Sequence, residues 1–352
     1  MARLGGDEFV ILLMDMEQEQ ECFSSLDRLL ETIARPIAIG NHSFSLSASI
    51  GVTLFPADNE DADTLLRHAD QAMYTAKQSG KNRYHLYDPA HDQRTRSQQA
   101  LLGQISHGLG QGQFELHYQP KIDLGVRRLV GAEALIRWRH PERGLLFPGE
   151  FLYALEGTER DIALGEWVIA TALAQLGQWK EAGLQLELSI NISAFHLQSA
   201  EFIEKLRQLV ARHPELPSGT LQIEILETAA LNDMSRITAI IEECRSFGVS
   251  FALDDFGTGY SSLAYLSNLP VHTLKIDQSF VRDMLEDKGD YAIVQGVIAL
   301  ARAFERETVA EGIETPEIYQ ALLEMGCGVG QGYGIARHMP AEELLNWRPA
   351  AS

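Results

Sequence analysis

Residues 221–254 read LQIEILETAALNDMSRITAIIEECRSFGVSFALD. An apolar run at 221–226 gives way to a helical pattern at 234–247, and Gly248 then precedes a second apolar run at 249–254. Runs this short read as buried strands when they flank a helical period, so the segment predicts a strand–helix–strand unit. The same alternation extends in both directions. Strands are expected around 114–119, 129–136, 186–192, 273–276, 307–311 and 328–333, and helices near 162–181, 200–212, 290–304 and 316–325. Alternation sustained over roughly 250 residues implies parallel β/α units, and eight of them fit one closed barrel.

The 352 residues leave room for a second domain. Upstream of the barrel, FVILLM at 9–14 reads as a buried strand and 17–34 as a helix ended by Pro36. Residues 42–55 alternate, with Phe44, Leu46, Ala48, Ile50, Val52 and Leu54 on one face, which predicts a half-buried strand. A helix is expected at 65–77 and a short strand at 84–87. The expected division is a first domain at 1–88, a polar linker at 89–99 and the barrel at 100–348.

Composition excludes some classes of function. Hydrophobic residues at 45% and charged residues at 22% suit a soluble globular chain. A formal net charge of -20 argues against a nucleic-acid polymer as partner, since that requires a basic face. A small phosphodiester remains compatible, because bound metal ions can supply positive charge. Cys22, Cys244 and Cys327 lack metal-ligand spacing and read as reduced thiols of a cytoplasmic protein. No apolar run reaches the ~20 residues needed to span a bilayer, so direct membrane insertion is not expected. A membrane-anchored sensor would need further chain.

Polar residues recur at or near the C-terminal ends of the expected barrel strands: Glu133, Asn191, Glu224, Asp254 with Asp255, Lys275, Glu311 and Gln331. That end is where such barrels place their active sites. A lone acid there is commonly a helix cap or a surface ion pair. The adjacent Asp254–Asp255 is sharper, because two like charges at one strand end repel unless a cation lies between them. Carboxylates with one amide oxygen form a hard-oxygen site suited to Mg2+ or Mn2+, and Lys275 could hold a water or offset phosphate charge. Spacing alone points to a metal-dependent phosphoester hydrolase.

The motifs resemble those of the EAL phosphodiesterases. They are Gln119-Pro120, Glu133-Ala134-Leu135 with Arg137-Trp138, Asn191-Ile192-Ser193, Glu224-Ile225-Leu226-Glu227, Asp254 through Ser262, Lys275-Ile276-Asp277, Glu311-Gly312-Ile313-Glu314 and Gln331-Gly332-Tyr333. The resemblance spans about residues 100 to 345 and implies an EAL-type (β/α)8 TIM-like barrel that hydrolyses cyclic-di-GMP to linear 5′-pGpG with two Mg2+ or Mn2+ ions. Glu133, Asn191, Glu224, Asp254 and Asp255 would hold the ions. Lys275 would position the water, Glu311 would act as general base, and Gln331 would support water or metal ligands. Gln119 and Arg137 would contact the dinucleotide, and Glu227 would anchor the loop that carries Asp254 and Asp255. The resemblance further implies a homodimer formed through the barrel. The alternative is a module that binds cyclic-di-GMP without cleaving it. Such modules usually lack a metal ligand, and none is missing here. Phe195-His196, where Arg-Gln is usual, and Leu226, where threonine is usual, depart from the pattern without removing a proposed ligand.

Arg3-Leu4-Gly5-Gly6-Asp7-Glu8-Phe9 resembles the GGDEF signature of diguanylate cyclases, in an α+β domain. Gly5, Gly6, Asp7 and Glu8, with Lys77 and Lys81 toward a triphosphate, would be its residual site. With the signature starting four residues after the first, the domain is expected to be partial and to lack cyclase activity.

Overall fold

The structure is a computed structural model that describes every residue except 15, 17, 40, 41, 79, 259–265, 267 and 350–352. The chain forms two compact units, Met1–Gln98 and Gln99–Ser352.

In the first unit, β1 (Ala2–Gly5) and β2 (Glu8–Val10) form an antiparallel hairpin. Its turn places Gly6 at φ +52°, a region where a Cβ is unfavourable. Strands β3 (Ile37–Ile39) and β4 (His42–Phe44) pair antiparallel, and β5 (Ile50–Val52) and β6 (Tyr84–Leu86) pair parallel. Helix Ala62–Gln78 packs so closely on β5 that a Cβ at Gly51 would sit 1.8 Å from the Ala69 carbonyl oxygen. The unit's core is small, with Cys22, Leu26 and Val52 at its centre.

Two expectations change here. The alternating run 42–55 is not one strand, since residues 45–49 carry no strand pairing. Residues 9–14 form a strand only to Val10, and Leu12 and Met14 are exposed. Alternation supplies an apolar face, but a strand also needs a hydrogen-bonded neighbour, and among the described residues no strand pairs with 11–14 or 45–49.

The segment expected as a linker is helical. Helix Pro89–Gly110 opens with proline at a position where its missing N–H costs nothing and continues through Gln, Arg and Ala, which favour helix. Its second half buries Leu101 and Ile105 in the core of the second unit.

In that unit the strands are β7 (Phe114–Asp123), β8 (Arg128–His140), β9 (Gly144–Leu146), β10 (Glu187–Asn191), β11 (Leu221–Leu226), β12 (Val249–Phe256), β13 (Thr273–Ile276), β14 (Glu307–Ala310) and β15 (Val329–Gly330). The order β10-β11-β12-β13-β14-β15-β7-β8, with β8 returning to β10, closes a barrel of eight strands among the described residues, and β9 extends β8 as a hairpin. Six of these strands run parallel to β8, joined by crossovers such as helices Glu159–Glu181, Phe202–Ala211, Met234–Ser246, Lys288–Ala303 and Pro316–Met325. The expectation of uniformly parallel units fails at β7, which is antiparallel to both β8 and β15. The turn explains why. Asp123 accepts hydrogen bonds from the Gly125 and Val126 N–H groups, and so short a connection can only join antiparallel strands.

Candidate active site

The barrel brings the acids together at the C-terminal end of its parallel strands. On β8, Glu133 lies opposite Gln119 of β7 and Ser189 of β10. Asn191 and Glu224 are register partners on β10 and β11, and Asp254 of β12 pairs with Leu226. Glu311 and Gln331 follow directly on β14 and β15. Glu133, Glu224, Asp254, Lys275 and Gln331 are buried.

Lys275 is the centre of this group. Its Nζ lies 2.5 Å from Glu224 Oε2, 2.7 Å from Glu311 Oε1, 2.9 Å from Asp254 Oδ1 and 3.6 Å from Glu133 Oε2. Burial opposes the charged ammonium, but the surrounding carboxylates overcome it and hold its pKa well above the usual lysine value. Burial raises Glu133, as does the neighbouring Glu224. Burial also pushes Glu311 up to about 8, against the pull of Lys275. Glu224 goes the other way, to about 2, because Lys121 and Lys275 outweigh its burial.

Two amides connect the carboxylates. Asn191 Nδ2 donates to Glu133 Oε1 at 2.7 Å. Gln331 Nε2 donates to Glu133 Oε2 at 2.7 Å and to Glu311 Oε1 at 3.0 Å. The other amide atom, Gln331 Oε1, is a buried acceptor with no hydrogen-bond partner among the described residues. Asp254, Asp255 and Glu311 each offer an oxygen, and these lie within 4.8 Å of one another. The donors are hard oxygens without sulfur, so the residues fit Mg2+ or Mn2+.

Asp255 sits at φ +54°, a costly conformation for a residue with a Cβ. Burial, the Asp254 charge and Asp277 push its carboxyl up to about 6. The next residue but one is tied down, since the Gly257 N–H donates to Glu227 Oε2 at 3.1 Å. Glu227 is 1% exposed and begins helix Glu227–Asn232, while Asp233 caps the following helix through the Arg236 N–H. Residues 259–262 of the expected loop motif lie outside the described residues.

Gln119 lines the same cleft as Glu133, Asp254, Lys275, Glu311 and Gln331, and its Nε2 donates to the Ala336 carbonyl at 3.2 Å. Arg137 is on the same face of β8 as Glu133, four residues on. It is buried, donates to the Ile136 carbonyl, and has its guanidinium carbon 4.8 Å from the Phe147 ring centre. Its Nε has no hydrogen-bond partner among the described residues.

Some residues escaped the sequence reading. Lys121 on β7 is 2% exposed and bonds Glu224 Oε1 at 2.8 Å. The available signal was a lysine set between Pro120 and Ile122 in the strand FELHYQPKID, a position where a charge is costly without a partner. Arg282 and Tyr333 also line the cleft. In the first unit, Gly5, Gly6, Asp7 and Glu8 are exposed on the β1–β2 hairpin, Lys77 is in the last turn of its helix, and Lys81 is in a turn at φ +57°. No hydrogen bond or ion pair among the described residues joins Asp7 or Glu8 to either lysine.

Comparison with known proteins identifies the family. The family profile for the EAL domain matches residues 102–338, and that for the diguanylate cyclase GGDEF domain matches residues 1–83. The chain is 38% identical over 346 residues, 98% of its length and 50% of the relative's, to the bifunctional diguanylate cyclase/cyclic di-GMP phosphodiesterase MucR of Pseudomonas aeruginosa. It is 34% identical over 350 residues, 99% of its length and 52% of the relative's, to the cyclic di-GMP phosphodiesterase PdeR of Escherichia coli. It thus spans about half the length of these curated relatives. The solved cyclic di-GMP complex of the PaMucR phosphodiesterase is 39% identical with a TM-score of 0.67, covering 70% of this chain and 99% of its own. The EAL enzyme Bd1971, bound to cAMP and cyclic-di-GMP, is 30% identical with a TM-score of 0.69, covering 82% of this chain and 76% of its own. The carboxylate-lined barrel and the profile covering most of the chain lead to one conclusion: the protein belongs to the EAL domain family, with a GGDEF-family segment at its N-terminus.

Proposed function

We propose that this chain hydrolyses cyclic-di-GMP to linear 5′-pGpG with two divalent cations, Mg2+ or Mn2+. The observation that carries the reading is the convergence of Glu133, Glu224, Asp254 and Glu311 within 3.6 Å of one buried ammonium at the open end of a barrel. Glu133, Asn191, Glu224, Asp254 and Asp255 would hold the ions, which would supply an activated water and neutralise charge on the phosphodiester.

The chain's own groups do the rest. Glu311, with its basic carboxyl beside Lys275, takes the proton from the attacking water, and a pKa near the working pH suits that exchange. Lys275 offsets the negative charge of the carboxylates and of the phosphate brought among them. Gln331 orients Glu133 and Glu311 with one amide nitrogen. Gln119 and Arg137 receive the dinucleotide. The Nε of Arg137, without a partner among the described residues, is a donor that a phosphate oxygen would satisfy. Assembly is proposed to be a homodimer through the barrel, whose surface exposes Leu226 and Leu231 next to Glu227.

The test is chromatographic separation of pGpG from cyclic-di-GMP after incubation with Mg2+ or with excess chelator. Metal-dependent pGpG supports the reading. Binding without any product in Mg2+ or Mn2+ would reduce the barrel to a cyclic-di-GMP-binding module.

A further inference from the structure

Lys121 stands beneath the acid cluster. It projects from the antiparallel strand β7, is 2% exposed, and bonds Glu224 Oε1 at 2.8 Å and Ser189 Oγ at 2.6 Å. Ser189 in turn donates to Gln222 Oε1 at 2.9 Å, and Gln222 Nε2 donates to Thr273 Oγ1 at 3.0 Å. Ser189, Gln222 and Thr273 are all buried. This polar layer therefore crosses the barrel interior through β7, β10, β11 and β13, where apolar packing would be the default.

The two oxygens of Glu224 have different partners. Oε2 faces Lys275, which is shared with Glu133, Asp254 and Glu311. Oε1 faces Lys121, whose only ion pair among the described residues is Glu224. A buried carboxylate whose two oxygens are held by separate cations has little freedom to rotate, because charge-assisted hydrogen bonds add geometric specificity. A fixed ammonium on one oxygen also sets the plane of the carboxylate, so the second oxygen faces the cluster.

We infer that Lys121 is a positioning residue for the metal site: held by the Ser189–Gln222–Thr273 layer, it keeps Glu224 oriented as a ligand without touching substrate or ion. This rests on the metal-dependent hydrolase reading.

The experiment measures Mn2+ binding directly, by the loss of the free-Mn2+ electron paramagnetic resonance signal, on full-length wild type, Lys121→Met, Glu224→Gln and the double variant. Circular dichroism melts establish folding. Outer groups that orient metal ligands typically contribute about 10- to 100-fold in affinity, and Lys121→Met is expected to weaken Mn2+ binding by about that factor. On the Glu224→Gln background the same change should cost less than about twofold, because its target is gone. Lys121→Arg, which keeps the charge, should recover most of the affinity. A folded Lys121→Met with wild-type affinity overturns the proposal, as does a double variant in which the two losses multiply in full, or a folded Lys121→Arg as weak as Lys121→Met. If Lys121→Met does not fold, Ser189→Ala carries the test. With Lys121 freed from its anchor, the site should lose several-fold in Mn2+ affinity, and unchanged affinity overturns the inference. Wild type that binds no Mn2+ would instead refute the metal-site reading itself, a result distinguishable from all of these.

Discussion

At the scale of single residues, the site concentrates negative charge around one ammonium, so individual substitutions should separate chemistry from folding. Glu133→Ala and Asp254→Ala each remove a proposed ligand. Groups that act as a unit lose rate together, so kcat is expected to fall by about 10³-fold or more, with the melting temperature held or raised as repulsion among the acids is relieved. Steady-state pGpG formation and a thermal melt on each variant check this. Glu227 acts at one remove, through its bond to the Gly257 N–H. Gly257 is at φ +105°, which glycine adopts freely, and a Cβ there would lie 3.1 Å from the Phe280 ring, so the turn after Asp255 requires glycine and is close-packed. Removing the anchor in Glu227→Ala should loosen Asp254 and Asp255 and cost about 10²-fold in rate, with a higher Mg2+ requirement. Turnover against Mg2+ concentration and sedimentation velocity test it. An unchanged Mg2+ curve would leave Glu227 with a structural role only.

At the scale of elements, the short helix Ala194–Leu197 that follows β10 depends on a neutral histidine. His196 is 2% exposed, meets Phe202 edge-on and packs against helix Glu159–Glu181 at Gly165, where a Cβ would come within 2.1 Å of its Nδ1. Burial pushes its pKa down to about 4, with nearby Lys205 acting the same way and Glu166 opposing. In the unfolded chain the ring titrates near 6.5. Its contribution to stability is therefore complete above about pH 6.5 and is lost as pH falls toward 4, since the unfolded state then binds a proton that the folded state refuses. Between pH 7 and pH 5 this should cost about 2 kcal/mol. Urea unfolding at the two pH values should show a loss smaller by about that amount in His196→Leu. Equal losses in both proteins would exclude His196 as the source.

At the scale of the whole molecule, the proposed chemistry belongs to the second unit. Deleting residues 1–98 should leave a folded barrel with metal-dependent hydrolysis within a few-fold of full length, in keeping with the solved PaMucR phosphodiesterase, 99% of which is covered by 70% of this chain. Circular dichroism and a pGpG assay on the deletion test this, and a folded but inactive barrel would give the first unit a required role. Chelation should abolish turnover of the intact chain and Mg2+ or Mn2+ should restore it, while Ca2+, with longer bonds and looser geometry, should restore little. Full activity in excess chelator would refute the metal-dependent reading. The first unit exposes Leu12, Met14 and Phe55 at 74%, 71% and 68%, a surface prone to association.

The barrel was legible in the sequence because its evidence is local. Short apolar runs and helical spacing recur along 100–345, and each run carries its polar residue at a position set by the strand itself. Glu133, Asn191, Glu224, Asp254, Lys275, Glu311 and Gln331 could be singled out because a charge or amide in an apolar run is costly without a partner. What that partner is, the sequence could not say. Lys121 meets Glu224 across 103 residues and Gln331 meets Glu133 across 198, pairings that exist only once the barrel has closed. Direction was likewise beyond the hydrophobic pattern, since an apolar run is the same read either way, and only the short Asp123 turn makes β7 antiparallel. In the first unit the clean alternation at 42–55 misled, because strand formation is decided by neighbours. At 89–99 a polar stretch became helix, continuous with a half that docks Leu101 and Ile105. Composition and spacing determined the fold class and the kinds of atom at the site. Tertiary structure alone decided which charges face one another, because the energy of a buried charge depends on the partner brought to it across the fold.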